Sequence, residues 1–556
     1  MKFRLLLGLG WLLALSAHGQ GQLRIYDCQN ASRYLEQTVV DSLDLEEQLV
    51  KFLSSRQQLG YLSARLVADH QDSLSYCLEK GQRFNWLKLR LNEGITGDWL
   101  RKIGYKSRYF DERPVNPKQL DQLCVGLLGL AENEGFPFAR LYFDSVQIEK
   151  DQISAALRLV RGPEVQYAGV RLAGNAQVSE RFLRNYLQLN TGEPYRQRNI
   201  DEISRRLAAL PFLVENEAAR IYFLNDQAEV YLYAQSQRAN NFDGMLGVFP
   251  NSANNKLLLT GDINLQLWSV FKQGEQLAFN FRSLQPGTQD LKIKLAWPFL
   301  FQTPLGIDVD FSLFKRDSTF LEVQRNLGLQ YLLSGADWFR AFVENRRYNI
   351  LTSVRQPGLA NVGGNLFGLE YQRFRLNRAL NPSRGYRYRI GGGAGERVIG
   401  AFDAVAAVRV AQYQFKGDAE VYLPWLSRWI TAFELSSRFL FSDQLYQNEL
   451  YRLGGFKTLK GFDEMSINAS QYAFLNIEQR FLLDKGSWLY VFWNGGWLKN
   501  AAIGQRYTDT PFGFGAGLTF TNNAGIFALA YALGSERSNA LRLNTAKVHL
   551  GYRYLL

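Results

Sequence analysis

From residue 238 to its end the chain alternates apolar and polar residues, and many of the polar positions carry charge. Leu277, Phe279 and Phe281 alternate with Ala278, Asn280 and Arg282, and Leu291, Ile293, Leu295 and Trp297 with Lys292 and Lys294. Ile307, Val309, Phe311 and Leu313 alternate with Asp308, Asp310 and Ser312. Val548, Leu550, Tyr552 and Tyr554 do so with Lys547, His549 and Arg553. A soluble sandwich would have to bury one face and could not accept those charges, whereas a barrel with lipid outside and water inside requires this pattern. The segment has room for about sixteen strands of roughly ten residues each. Low mean hydropathy (−0.22) does not conflict with this, because spanning strands put every second residue on the polar side.

The other features of the chain agree with an exported, non-enzymatic protein. Residues 1–19 read as a signal peptide: Lys2 and Arg4, an apolar run from Leu5 to Ala17, and the small residues Ala17 and Gly19 before a cut at Gln20. No later segment is long and apolar enough to span as a helix, so any membrane crossing is by strands. The formal net charge is +12, but the 64 Lys and Arg are dispersed among 52 Asp and Glu, so a nucleic-acid partner is not expected. The 3 His and 3 Cys are far apart, with no phosphate-binding loop and no nucleophile elbow, so neither a catalytic site nor a metal or cofactor is expected. Cys28 and Cys77 can pair in an oxidising compartment, while Cys124 lies on a helical stripe as a buried thiol.

Between residues 20 and 237 an αβ unit recurs at a period of roughly 75 residues. The third copy, 163–237, begins with Val170-Arg171-Leu172-Ala173 and a Gly174-Asn175 turn. Helices follow, with Phe182, Leu183 and Tyr186 and then Ile200, Ile203, Leu207 and Leu210 in register, and two strands close the unit. The second, 84–162, has Leu87, Leu89 and Leu91 in a strand and Leu120, Leu123, Leu127 and Leu130 on a helix. The first, 20–83, is the weakest, with Leu45, Leu49, Phe52 and Leu53 on its helix. The third unit, with its Gly-Asn turn and the Thr191-Gly192-Glu193-Pro194-Tyr195 segment, resembles a POTRA domain, a periplasmic βααββ module. Such modules accept partners by strand addition at a sheet edge.

A long loop before the strand 472–482 holds Gly454-Gly455 and then Leu459-Lys460-Gly461-Phe462. It resembles the loop of the BamA/TamA superfamily that folds into the barrel lumen, with Lys460 standing where the family carries Arg. Asn476, Glu478, Arg480 and Phe481 resemble the family's next strand. Phe492, Asn494 and Gly496 resemble the strand whose carboxylate holds the loop arginine, with Asn494 in place of Asp. The resemblance thus implies an ammonium–amide contact in place of an arginine–carboxylate fork, with Glu478 as the counter-charge of Lys460. The ending His549, Gly551, Tyr554 and Leu556 resembles the terminal strand of such barrels.

The expected fold class is therefore α+β POTRA repeats (βααββ) followed over 238–556 by an all-β, about 16-stranded transmembrane antiparallel β-barrel in the outer membrane. The layout is closest to the TamA members of the family. The resemblance implies a factor that receives unfolded outer-membrane protein clients through its POTRA domains and inserts them into lipid at a lateral seam. That seam is expected between a first strand with Asn241, Gly244 and Gly247 and a last strand with His549, Gly551, Tyr554 and Leu556. It also implies a TamB-like periplasm-spanning partner or accessory lipoproteins. The alternative is a two-partner-secretion pore that passes a polypeptide through the lumen.

Overall fold

The computed structural model describes residues 21–30, 32–69, 74–250, 257–283, 287–352, 358–400, 407–484, 486–522, 525–537 and 545–555. The expected signal segment and Leu556 lie outside them. The chain divides into two compact units, Met1–Gln166 with Pro194–Arg198, and Tyr167–Glu193 with Asn199–Leu556.

The first unit holds two αβ sheets. One has four strands in the order Arg33–Val39, Gly21–Asp27, Ser75–Glu79, Arg65–Ala68. The helix Ser42–Gln57, capped by the Asp41 carboxylate on the Asp44 N–H (2.8 Å), packs Phe52 on Leu23, Ile25 and Leu78. This copy departs from the βααββ order: it has one helix and an additional strand, Arg33–Val39. The reason is local, since Asp27 accepts from the Gln29 N–H (2.9 Å) to turn the chain, and the following Arg-Tyr-Leu-Glu-Gln-Thr-Val run pairs back on Gly21–Asp27. Cys28 and Cys77 form a disulfide across the sheet, with Cα atoms 4.9 Å apart. The second sheet, Asn85–Leu91, Gln152–Val160, Arg140–Glu149, is covered by Gly97–Lys102 and Pro117–Asn133. Leu123 and Leu127 of the latter bury against Trp86, Leu89 and Leu157. Cys124 is a half-buried free thiol.

The second unit contains the third αβ copy and the barrel. The third copy has the strands Gln166–Ala173, Gln227–Ser236 and Leu213–Leu224, with helices Glu180–Leu187 and Ile203–Ala208. At its turn, Gly174 has φ +122° and passes so close to the next strand that a Cβ would lie 2.3 Å from the Ala234 carbonyl oxygen. Only glycine fits there. Ser236 Oγ accepts from the Gln177 N–H beside it (2.8 Å), closing the turn at Asn175. The helices dock on barrel turns. Phe182 stacks edge-on to Phe299 (5.8 Å between centroids), and the Ala379 N–H donates to the Ala208 carbonyl (2.9 Å).

Sixteen antiparallel strands close the barrel, from Asn241–Pro250 to Lys547–Leu555, with the short strand Tyr507–Asp509 extending one outer hairpin. Leu327, Leu329 and Tyr331 face outward, while Asn326 on the same strand is buried inside. The lumen wall is cross-linked by charge. Arg340 forks onto Asp308 (2.5 Å) two strands away and also reaches Glu370 (3.4 Å) and Asn326 (2.6 Å). Fixed geometry of this kind is what lets buried ions offset their desolvation.

Candidate functional site

The loop between strands Trp429–Ser442 and Gln471–Leu482 turns into the barrel. Its stem is a two-stranded ribbon, Tyr451–Leu453 on Ile467–Ala469. Arg452 pairs with Glu322 on the wall, and Arg397 holds Glu449 with two bonds (2.6 and 2.9 Å). The tip buries Leu459 and Phe462 among Leu453, Ile467, Tyr472, Phe474 and Leu498. Gly454 and Gly455 open the tip with φ of +108° and +92°. Gly461 has φ +95°, and a Cβ there would stand 2.8 Å from the backbone of Leu533. The tip therefore sits flush on the wall at a position closed to any side chain.

Lys460 projects from this tip into a buried charge network. Its Nζ is 3.0 Å from Glu478 Oε1 and 3.4 Å from Asn476 Oδ1, and lies 4.9 Å over the Phe492 ring. Glu478 also takes two bonds from Arg480 (2.6 and 2.8 Å), which reaches on to Glu434 (3.3 Å). Two cations and two carboxylates thus offset one another, with Lys460, Glu478 and Arg480 buried and the Glu434 side chain 36% exposed at the edge of the network. The amide at Lys460 belongs to Asn476 and not to Asn494, which departs from the expected ammonium–amide pair. Asn494 lies opposite Asn476 on the neighbouring strand, and its buried Oδ1 has no hydrogen-bond partner among the described residues. A full carboxylate attracts the ammonium more strongly than an amide dipole, so Lys460 follows Glu478. Gly496 lies two residues beyond, its N–H donating to the Pro511 carbonyl (3.1 Å).

The same tip grips the last barrel strand. The Gly461 N–H donates to His549 Nε2 (3.2 Å), Phe456 stacks on the His549 ring (5.7 Å, 27°), and Lys547 pairs with Asp463 (2.8 Å). A Cβ on Gly551 would come 3.5 Å from the Phe456 ring. Residues 547, 549 and 551 therefore face the loop, while Val548 and Leu550 face outward, 62% and 80% exposed. Phe456 and Asp463 were not singled out by sequence. The available signal was the Gly-Gly-Phe run opposite an inward-facing His.

Across the seam, two residue pairs join the first and last strands among the described residues: Asn241 with Leu555 and Phe242 with Tyr554. The first strand pairs with its other neighbour over ten positions and the last with its other neighbour over seven. Gly244 and Gly247 lie opposite Ile263 and Thr260 of the second strand, and His549 and Gly551 opposite Ala530 and Ala528 of the penultimate one. Of the expected seam residues, Asn241 and Tyr554 stand in the paired register. Asn241 is buried and bonds Gln266 (3.2 Å).

The Omp85 superfamily domain matches residues 270–551. The fold is similar to that of CdiB from Escherichia coli, with TM-score 0.56, 14% identity, and coverage of 92% of this chain and 98% of that one. CdiB from Acinetobacter baumannii gives 0.55 at 12% identity, covering 93% and 99%. BamA from Haemophilus ducreyi lacking POTRA domains 1–3 gives 0.41 at 12%, covering 84% and 99%. No curated protein sequence matches the chain. With a family domain over half its length and a closed barrel carrying POTRA-like αβ units, this chain belongs to the Omp85 superfamily of outer-membrane barrels.

Proposed function

We propose that this protein assembles other outer-membrane barrels, receiving unfolded clients through three POTRA units in the periplasm (20–83, 84–162 and 163–237) and inserting them at the seam of the barrel. The observation that carries this reading is the seam of two residue pairs. The two pairs lie at one end of Asn241–Pro250 and Lys547–Leu555, against ten and seven pairs on the other sides of these strands. In hydrocarbon each unsatisfied backbone group costs several kcal/mol. A client strand that adds to such an edge satisfies both itself and the barrel, so insertion runs downhill without a soluble energy source. Lys547 and His549, held by the loop, keep the last strand turned toward the lumen and oppose full closure.

The αβ units support the receiving half of this reading. The edge strand Arg140–Glu149 exposes Tyr142, Val146 and Ile148, and the edge strand Leu213–Leu224 exposes Tyr222 and Leu224. Exposed apolar edges are suited to augmentation by an extended client. A TamB-like partner or accessory lipoproteins would deliver clients to those edges.

The test is insertion by purified protein in liposomes, with folding of a small unfolded barrel protein followed by heat-modifiable gel mobility. Acceleration should vanish when a designed disulfide tethers the first strand to the last and return on reduction. Full activity of the tethered protein would exclude lateral opening. Passage of a polypeptide through the lumen with no acceleration of client folding would instead identify a two-partner-secretion pore.

A further inference from the structure

We infer that the barrel rim beside the third αβ unit carries a binding site for the phosphate of a phospholipid headgroup. The site uses the membrane setting of the barrel and is independent of the insertase reading.

Three turns lie side by side at the end of the barrel where Ala379 bonds Ala208, their described residues being 377–384, 425–428 and 483–484 with 486–487. They enclose a cavity of about 790 Å³ whose lining includes Arg378, Arg384 and Arg428. None of these three guanidinium groups forms an ion pair with a described residue. The carboxylate in the lining, Asp484, already accepts from the N–H groups of Gly486 (2.6 Å) and Ser487 (2.7 Å). A fourth cation, Arg480, is engaged by Glu478 and Glu434. The cavity therefore holds an excess of positive charge.

The turns that carry these arginines are tied down. Arg384 donates its N–H to Asn377 Oδ1 (3.1 Å) and accepts from the Asn377 N–H (3.0 Å) at its carbonyl, and the Arg428 carbonyl accepts from the Leu482 N–H (2.8 Å). Trp488 also lines the cavity, and its buried Nε1–H has no acceptor among the described residues. Guanidinium groups without an ion-pair partner, lining one cavity, suit bidentate bonds to the oxygens of a phosphate group. The volume is that of a small-molecule site.

The apolar surroundings distinguish a lipid from other anions. Trp425 and Leu426, in the same lining, are 69% and 67% exposed, and Leu423 and Trp429 on the adjoining strands are exposed as well. An amphiphile uses both halves of this surface, with phosphate on the arginines and acyl chain on the tryptophan and leucine. An acidic peptide needs only the first half.

The experiment is native mass spectrometry of the full chain in neutral detergent, titrated with dioctanoyl phosphatidylglycerol, dioctanoylglycerol, inorganic phosphate and an oligoglutamate peptide. The phosphatidylglycerol adduct should be retained by the wild-type chain and weakened at least tenfold by the triple variant R378Q/R384Q/R428Q, with dioctanoylglycerol retained by neither. Heat-modifiable mobility verifies that the triple variant is folded. Should it not fold, R378Q, R384Q and R428Q are read singly, each with a partial loss. Equal retention of phosphatidylglycerol by wild-type and variant chains would overturn the proposal. So would retention of the phosphate-free glyceride, saturation by inorganic phosphate with no gain from acyl chains, or preferential arginine-dependent binding of oligoglutamate.

Discussion

The backbone N–H of Gly461, at the tip of the lumen loop, donates to Nε2 of His549 on the last barrel strand at 3.2 Å. This bond joins the loop to the strand that meets its partner over two residue pairs. Loop and seam are thus one mechanical element, and loosening the tip frees the strand that has least to hold it. His549→Ala removes both the acceptor and the ring stacked on Phe456, at a cost of about 1–2 kcal/mol in tip docking. The expected outcome is faster proteolysis within 454–466 with the barrel still heat-modifiable. An unchanged cleavage rate would show that the remaining tip contacts, Lys460 on Glu478, Lys547 on Asp463 and the buried Leu459 and Phe462, hold the tip without His549.

Glu478→Gln leaves Lys460 and Arg480 buried with one fewer carboxylate. Breaking a buried pair by removing one partner costs about 3–5 kcal/mol. The variant should therefore expose the loop to protease more than His549→Ala does. Lys460→Met added to Glu478→Gln should recover part of the loss, because the orphaned ammonium is gone. A double variant as labile as the single one would rule out Lys460 as the partner that matters.

Gly461→Ala places a Cβ 2.8 Å from the Leu533 backbone at φ +95°. Strain of this kind costs roughly 1–3 kcal/mol. Gly504 has φ +81° but open space around it, so Gly504→Ala carries the conformational cost alone. Loop proteolysis should rise for the first variant well beyond the second.

In the first αβ unit, Lys80 (2.8 Å), the Tyr34 hydroxyl (2.6 Å) and the Gln29 N–H (2.9 Å) converge on Asp27. The bond from Lys80 is the largest cause holding the Asp27 carboxyl well below the usual carboxylate range, and Asp27 in turn raises Lys80. A lowered carboxyl stabilises the fold above its unfolded value and loses that contribution as pH falls through the folded one. A raised ammonium stabilises below its unfolded value and loses that contribution as pH rises through the folded one. Both contributions are complete between about pH 4 and pH 10. Hydrogen exchange of Gly21–Asp27 should therefore be flat in protection across that window and lose protection in strong acid. Asp27→Asn should lower protection within the window and flatten the acid limb.

Reduction of Cys28–Cys77, separated by 49 residues, releases a loop whose closure is worth about 4 kcal/mol in the chain-entropy description. Protection of the Gly21–Asp27 and Ser75–Glu79 amides should fall on reduction, while the amides of Gln152–Val160 should hold.

Side-chain alternation is a local property, and it was readable wherever a strand has water on one face and lipid on the other. Val548, Leu550, Lys547 and His549 declare their faces with no knowledge of neighbours. The same holds for the helical stripe of Leu123 and Leu127, and for the glycine turn at Gly174. Arg33–Val39 was missed because a seven-residue run with mixed polarity carries no decisive period; its pairing to Gly21–Asp27 supplies what the pattern lacks. Asn494 and Asn476 are equivalent by sequence type, and which of them meets Lys460 depends on ångström-scale placement across adjacent strands.

The sequence by itself determined αβ units followed by a sixteen-strand barrel, because burial periodicity and turn chemistry act over a few residues. Only the tertiary structure decided where the barrel closes and what the loop holds. The two-pair seam, the Gly461–His549 bond and the Lys460–Glu478–Arg480–Glu434 network join residues that are distant in sequence or set by register. Register and loop docking are settled by the sum of many weak, long-range contacts, and no short stretch of chain encodes that sum.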